Sequence, residues 1–458
     1  MSGKGDTTAA RKELFEAVET IRSTVHVTKL LIDETDTRRK EARIAAISAF
    51  TKPQARRFFG GILELLEPVI EEERFLPDDN ADDTDDDEEN EEDMGFASNS
   101  RVVHRDTREA LGFLKTATLC TVSFLEGITS RQRKASTPKQ STTTDTIQTV
   151  EEVFLVAQHL HNCLFALQAS GKRGVAVQTK ICQLCELWWK NDFMDRECLI
   201  VELVPLLLAK SMDVSAQKAD VKRLLQVRDA LDIFDFASDT SADLKSLLLR
   251  TVSSPLYLKI PEGKRWISHM LSVPELIQGL HNAIRVQVPD AKATILHAYA
   301  DIYFRAWKEG NDQVREQLED VVLQDLAFAV IHVADPQMVK SVQTLLQPFY
   351  DAKKTVEVEQ ALYRLFGPIL WRSLSVANPT VRSNASRVLA EVFPLQEGRT
   401  RTDKAVSKSV LALENLLKDK DPHVRVAASE ATARILGTYW DVVPASSIRT
   451  LLNRKCCF

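Results

Sequence analysis

Cys182 and Cys185 stand in a Cys-x-x-Cys spacing. Two thiolates so placed can grip a zinc ion, but a structural site needs a second pair at matching spacing. The neighbours His159, His161, Cys163 and Cys198 do not repeat the pattern. The pair runs into Leu187, Trp188 and Trp189 on a helical pattern, so it is read as buried, inert thiols with no metal. Catalytic spacings are missing too. The chain holds no Gly-x-Gly-x-x-Gly, Gly-x-x-x-x-Gly-Lys, His-Glu-x-x-His or Gly-x-Ser-x-Gly. No catalytic residue and no cofactor is assigned. A Ser/His/Asp or Cys/His site gathered from distant positions is the one enzymatic arrangement that a motif scan leaves open.

Phosphate-directed residues are better represented. Arg399, Arg401, Lys404 and Lys408 put four cations within ten residues, diluted only by Asp403. They fit contacts to a nucleic-acid backbone and equally fit a solvated loop. The pairs Lys222-Arg223 and Lys264-Arg265 are weaker versions of the same signal. Arg382 and Arg425 each follow a Pro-x-Val. One reading is a phosphate contact; the other is a charge satisfying carboxylates or carbonyls of neighbouring turns, and recurrence at one position favours the second. Ser136, behind Arg133-Lys134, suits a basophilic kinase, and Thr137-Pro138 a proline-directed one. Phosphorylation there would reverse the local field of Arg131, Arg133 and Lys134.

The elements that must carry these side chains are helices. Four prolines, Pro289, Pro336, Pro379 and Pro422, recur at intervals of 47, 43 and 43 residues. After each, the positions two, six, nine and thirteen residues on are apolar, as in Val381, Ala385, Val388 and Val392. Steps of four, three and four trace one helix face. Proline at the first helical position behind Asp335, Asn378 or Asp421 is a sound helix start, whereas Val288 has no oxygen with which to cap. The Pro336 unit is the least distinctive, with Val339 where the others carry Lys or Arg, and is the first to drop if the period is irregular. A period in the forties with two helices is that of HEAT or armadillo repeats. The predicted fold is therefore all-α, an α-solenoid of HEAT-like repeats with disordered acidic and Ser/Thr-rich insertions.

At 458 residues the chain is too long for one ordinary core. The sequence divides into N-terminal helices (1–76), an acidic loop (77–105), a helix (106–128, ending at Gly127), and a Ser/Thr-rich basic linker (129–147). Helical repeats follow over 148–288, and HEAT-like repeats over 289–458. Within 148–288, helices are expected to about Ala169, over about 174–190, over Leu199–Ala209 and over Asp220–Phe236. Residues 78–93 hold 12 acidic side chains and no basic one. That tract reads as a solvated loop or as a docking site for a basic partner such as histone tails. The formal net charge is −6, and removing those 12 residues turns it to +6, compatible with a nucleic-acid partner. Seven cysteines, an odd number, suggest reduced thiols in the cytosol or nucleus. No apolar run of about 20 residues stands out as a membrane span, and residues 1–16 contain no apolar signal region. Ser447–Leu452 starts a helix that the chain does not finish, and no polar cap repeat is visible, so the array reads as truncated.

Several stretches resemble the HEAT-repeat G-type subunit of condensin II, a chromosome-condensing complex. The clearest is Val358–Leu395, where Leu-Tyr-Arg-Leu leads to Leu-Trp-Arg and then to Asn-x-x-Val-Arg-Ser-Asn-Ala. LCELWWK (184–190), ADVKRL (219–224), LLLRTVSSPLYLK (247–259), IYFRAWK (302–308) and Tyr439-Trp440 before Pro444 are similar as well. The likeness covers about residues 150–455 and only the N-terminal part of the family's longer proteins. The resemblance implies a non-enzymatic nuclear scaffold, associated with chromosomes, that binds the kleisin subunit and contacts duplex DNA without sequence specificity. It implies that ATP hydrolysis belongs to partner SMC-type ATPases, and it implies no membrane. A HEAT adaptor outside chromosome biology, such as a transport receptor or phosphatase scaffold, is the alternative.

Overall fold

The computed structural model describes residues 3–76, 98–135, 149–395 and 402–441, with scattered positions up to 449. The acidic tract, Ser136, Thr137, Arg399, Arg401 and most of 447–452 lie outside the described residues. Among the described residues every regular element is helical. They form two compact units, Met1–Lys210 and Ser211–Phe458.

The first unit contains α1 (Gly3–Glu16), α2 (Thr24–Leu31), α3 (Thr37–Ser48), α4 (Lys52–Glu71), α5 (Ser98–Ala135), α6 (Glu151–Asn162) and α7 (Gly171–Lys190), with α8 (Leu203–Ser211) at the division. Thr51 and Gln54 make a reciprocal capping box that opens α4. A run of rings, Phe15, Phe50, Phe58, Phe59 and Phe124, links α1, α4 and α5 at centroid spacings of 5.3–5.6 Å. The buried members, Phe50, Phe58, Phe59 and Phe124, each stabilise by about 1.5–3 kcal/mol. Arg43, buried on α3, is paired with Glu13 and Glu34 and donates to the Leu30 carbonyl.

Here α5 departs from expectation at both ends. It begins at Ser98, inside the expected acidic loop, and continues through residues 129–135 of the expected linker. Gly127 does not stop it. Ser48 of α3 crosses there so closely that a Cβ on Gly127 would lie 2.0 Å from the Ser48 carbonyl oxygen. The glycine permits a helix crossing, and Arg131 then ties the extension to the Phe50 carbonyl at 3.2 Å. The window Asp106–Arg133 is also long and apolar enough to cross a bilayer, which the sequence scan passed over. Interleaved Thr and Ser disguised it. Thr116, Thr118, Thr121 and Ser123 each return their hydroxyl to the carbonyl four residues back, so they are buried without loss. With 67% of its most apolar stretch buried, α5 is the core helix of this unit.

Two further expectations are corrected. The helix predicted to Ala169 ends at Asn162, and Ala166–Ser170 forms a short 3-10 turn. There the side-chain amide of Gln178 takes the Leu164 carbonyl at 2.7 Å and folds α7 back. Asp220–Phe236 is not one helix either. It divides into α9 (Lys218–Gln226) and a 3-10 stretch, Arg228–Ile233, whose first carbonyl meets His269 at 3.1 Å.

The second unit continues with α10 (Ala242–Arg250), α11 (Pro255–Lys259), α12 (Pro261–Met270), α13 (Pro274–Gln287), α14 (Ala293–Glu309), α15 (Asp312–Leu318) and α16 (Gln324–His332). It ends with α17 (Pro336–Asp351), α18 (Val356–Ser373), α19 (Pro379–Val392), α20 (Thr402–Leu416) and α21 (Pro422–Tyr439). One layer stacks α9, α12, α14 and α17; the other stacks α10, α13, α15–α16, α19 and α21. These are HEAT-like helix pairs. No boundary falls at 288/289, because α12 and α13 pack directly on α14 and α15 and share their core.

Three of the four prolines open helices. Asp335 accepts from Gln337 and Met338, Asn378 from Thr380, and Asp421 from His423 and Val424. Each cap contributes about 1 kcal/mol. The unit that departs is Pro289, not Pro336. Val288–Asp290 closes a 3-10 turn after α13, and α14 starts only at Ala293. Without a side-chain oxygen at Val288, nothing holds the first turn open for capping.

Candidate nucleic-acid interface

Polar residues at the repeat positions tie neighbouring helices together. Arg382 forks onto Asp419 with two bonds of 2.7 Å and donates to the Val376 and Ala377 carbonyls. Arg425, one repeat on, donates to the Asp419 and Lys420 carbonyls. Asp419 is thus held through both carboxylate and carbonyl. The Arg382 hydrogen bonds keep its pKa below the ordinary carboxylate value. Asn384 reaches the other way and donates to the Ile331 and Val333 carbonyls at the end of α16. In Val-Arg-Ser-Asn-Ala, then, the Arg grips the following repeat and the Asn the preceding one.

A second node sits where Glu319–Leu323 forms a π-turn between α15 and α16. The widened turn carries the buried Glu319 carboxylate, which accepts from Trp307 at 3.0 Å and from Arg364 at 2.9 and 2.7 Å. His281 lies between Tyr303 at 2.9 Å and Asp325 at 3.2 Å, and burial lowers its pKa. Sequence reading missed both nodes. The available signal was that Trp307, Tyr303 and Arg364 fall inside two of the distinctive motifs.

The starts of α17, α19 and α21 line one groove of ≈ 570 Å³. Pro336, Pro379 and Asp421 mark the three helix ends, and Lys340, Arg387 and His423 add exposed cationic or titratable groups. Helix N-termini carry partial positive charge and unpaired N–H groups, part of which the three caps already occupy. Arg387 approaches Glu430 at 3.7 Å, an exposed pairing that holds it weakly. Electrostatically the groove suits an anionic, extended ligand. Lys340, Arg387 and His423 were not singled out from sequence, although they follow the prolines by four, eight and one residues.

Of the four predicted backbone-contacting cations, the structure describes Lys404 and Lys408. Both are exposed and lie one turn apart on α20. The Lys408 ammonium sits 4.1 Å from the centre of the Trp371 ring, which orients it. Lys404 lies in the first helical turn, where a cation opposes the helix dipole by about 0.3–1 kcal/mol. Cys182 and Cys185 are buried, and among the described residues no group of three metal-ligating side chains forms.

The comparisons with known proteins centre on the stretch that carries these nodes. Residues 250–397 match the family described as the condensin II non structural maintenance of chromosomes subunit. Condensin-2 complex subunit G2 of Xenopus laevis is 33% identical over 279 residues, which is 60% of this chain and 24% of that protein. The similarity is thus to the condensin II G subunits. The Mus musculus and Homo sapiens G2 subunits are each 32% identical, covering 64% of this chain and 26% of their own length. The chain therefore spans about a quarter of the curated relatives it matches. Within the matched stretch, Arg364, Arg382 and Asn384 read first as repeat-joining residues, since each is consumed by a neighbouring repeat.

Proposed function

We propose that this chain is a non-enzymatic scaffold of a condensin II complex, working in the nucleus on chromosomes. In this reading the stacked helices hold an extended segment of the kleisin subunit, and basic side chains neutralise duplex DNA phosphates without reading sequence. ATP hydrolysis falls to the SMC-type partners. The observation that carries the reading is the row of three proline-opened helix starts, α17, α19 and α21, lining one groove with Lys340 and Arg387. Lys404 adds to it, because a lysine in the first turn opposes the helix dipole and does not stabilise α20, and Lys408 presents a second exposed cation one turn on. Arg399 and Arg401 are proposed with them as backbone contacts. Thr137 and Ser136 are proposed as modification sites whose phosphates weaken DNA contact.

Electrophoretic shifts over a salt series test the DNA part. Each phosphate neutralised contributes a slope of about −0.9 in log affinity against log salt. Lys340→Glu with Arg387→Glu should weaken binding and flatten the slope by about two. Lys404→Glu with Lys408→Glu should do likewise. Binding indifferent to salt, or no binding even with kleisin present, refutes it. Recovery of a kleisin and SMC-type ATPases on purification from nuclear extract is the expected result for the scaffold role; a phosphatase subunit in their place would overturn it.

A further inference from the structure

A cleft of ≈ 620 Å³ opens among α2, α5 and α7 in the first unit. Leu111 and Val177 form a buried apolar floor. Four cations ring it, Lys29 from α2, Arg108 and Lys115 from α5, and Arg173 from α7, against the carboxylates of Asp33 and Glu109. All four cations are exposed, and among the described residues none of the four is in an ion pair or side-chain hydrogen bond. Cations gathered over a low-dielectric floor repel one another and raise the local attraction for an anion.

The chain carries a matching polyanion, and the described residues on either side of it belong to this unit. Residues 78–93 hold 12 carboxylates and no cation. The last described residues before them are tied down by two hydrogen bonds. The Ser170 hydroxyl donates to the Phe75 carbonyl at 2.5 Å, and the Thr107 hydroxyl donates to the Leu76 carbonyl at 3.4 Å. Thr107 adjoins Arg108, and Ser170 precedes Arg173 by three residues. The chain re-enters at Ser98, ten residues before Arg108 on α5, which is about 15 Å along the helix. Chain can extend by up to about 3.3 Å per residue, so the tract has length to spare for lying across the cleft and returning.

We propose that the acidic segment 78–93 docks in cis on the cleft ringed by Lys29, Arg108, Lys115 and Arg173. Exposed ion pairs are individually weak. Tethering at both ends makes them sufficient, because the local concentration of a short linked segment reaches roughly the millimolar range. Docking covers this basic cleft with the chain's own anion. It stands independently of whether the groove of the second unit binds DNA.

The test uses the full 458-residue chain and a fluorescent peptide of residues 77–94, followed by anisotropy at low salt. Replacing the 12 carboxylates by Asn and Gln vacates the cleft, so that variant should bind the peptide about tenfold tighter than the unaltered chain. Adding Lys29→Ser, Arg108→Ser, Lys115→Ser and Arg173→Ser should abolish the gain. The milder pair Lys29→Ser with Lys115→Ser, matched to the parent in helical content and melting temperature, should remove about half of it in log affinity. Equal peptide binding by the unaltered and tract-neutralised chains overturns the proposal. So does a gain that survives the cleft substitutions. A vacated cleft that takes up duplex DNA but not the peptide overturns it as well and assigns the cleft to nucleic acid.

Discussion

Replacing Arg382 by alanine should loosen the C-terminal repeats selectively. The guanidinium makes two bonds of 2.7 Å to Asp419 and two more, at 2.8 and 2.7 Å, to the Val376 and Ala377 carbonyls. Its side chain and that of Asp419 are only 14% and 13% exposed. A hydrogen bond to a charged group contributes about 1.5–3 kcal/mol, and stranding one partner of a fully buried pair costs about 3–5 kcal/mol. Residual exposure admits water to Asp419, so a loss of about 3 kcal/mol is expected. Repeat arrays are stabilised chiefly by nearest-neighbour interfaces, so the loss concentrates where α19 meets α21. At 1.36 kcal/mol per decade, amide exchange across Pro422–Tyr439 should quicken by about a hundredfold. Exchange in α9 and α12 should stay unchanged. Arg382→Lys keeps the charge but not the two-pronged fork, and should fall between. The pair also predicts acid sensitivity. Asp419 has its pKa lowered in the folded chain by Arg382, so unfolded chains take up the proton first. Its contribution is complete above the ordinary value of about 3.9 and is lost as pH falls through the lowered folded value. Exchange followed by mass spectrometry decides the matter. Acceleration in α21 under threefold, or equal acceleration throughout the second unit, refutes this account of the fork.

Gly127→Ala should destabilise the first unit by about 3 kcal/mol or more, since the new Cβ would meet the Ser48 backbone at 2.0 Å. Gly60→Ala on α4, with nothing within 4 Å of its Cβ, should instead stabilise by about 0.5–1 kcal/mol, and thermal melts will show the opposite signs. Burial pushes Cys120 and Cys163 up to about 12 and Cys185 well above its ordinary value. Alkylation of the folded chain at pH 8 should therefore modify exposed Cys198 and spare those three until denaturant is added, as peptide mass mapping would reveal. His269 and His281 both have pKa values lowered by burial. Because the unfolded chain protonates first, the second unit should melt lower at pH 5.5 than at pH 7.5, with a smaller difference in His281→Gln.

Local rules made the helix starts legible. Asp335, Asn378 and Asp421 before prolines state their role in adjacent letters, because capping involves only residues two or three apart. Val288 carried its own warning in the same way. The helix ends were less legible, and Gly127 shows why. A glycine reads as a stop from the chain alone, but a neighbouring backbone, supplied by α3 from 79 residues earlier, turns it into a crossing point. Threonine likewise hid the core character of α5, since its hydroxyl is satisfied only once the helix exists.

The sequence by itself determined the all-helical class, the spacing of the repeat units and, through its distinctive motifs, the likeness to the condensin II G-subunit family. Those properties rest on side-chain periodicity and short-range capping, which need no partner from afar. Only the tertiary structure decided which charges are spent on neighbouring repeats and which stay exposed around a cleft. Arg382 and Arg364 are consumed by Asp419 and Glu319. Lys340 and Arg387 converge on one groove, and Lys29, Arg108, Lys115 and Arg173 on another. A charge's role depends on the counter-charge within a few ångströms, and the stacking of helices, not their order along the chain, sets that distance.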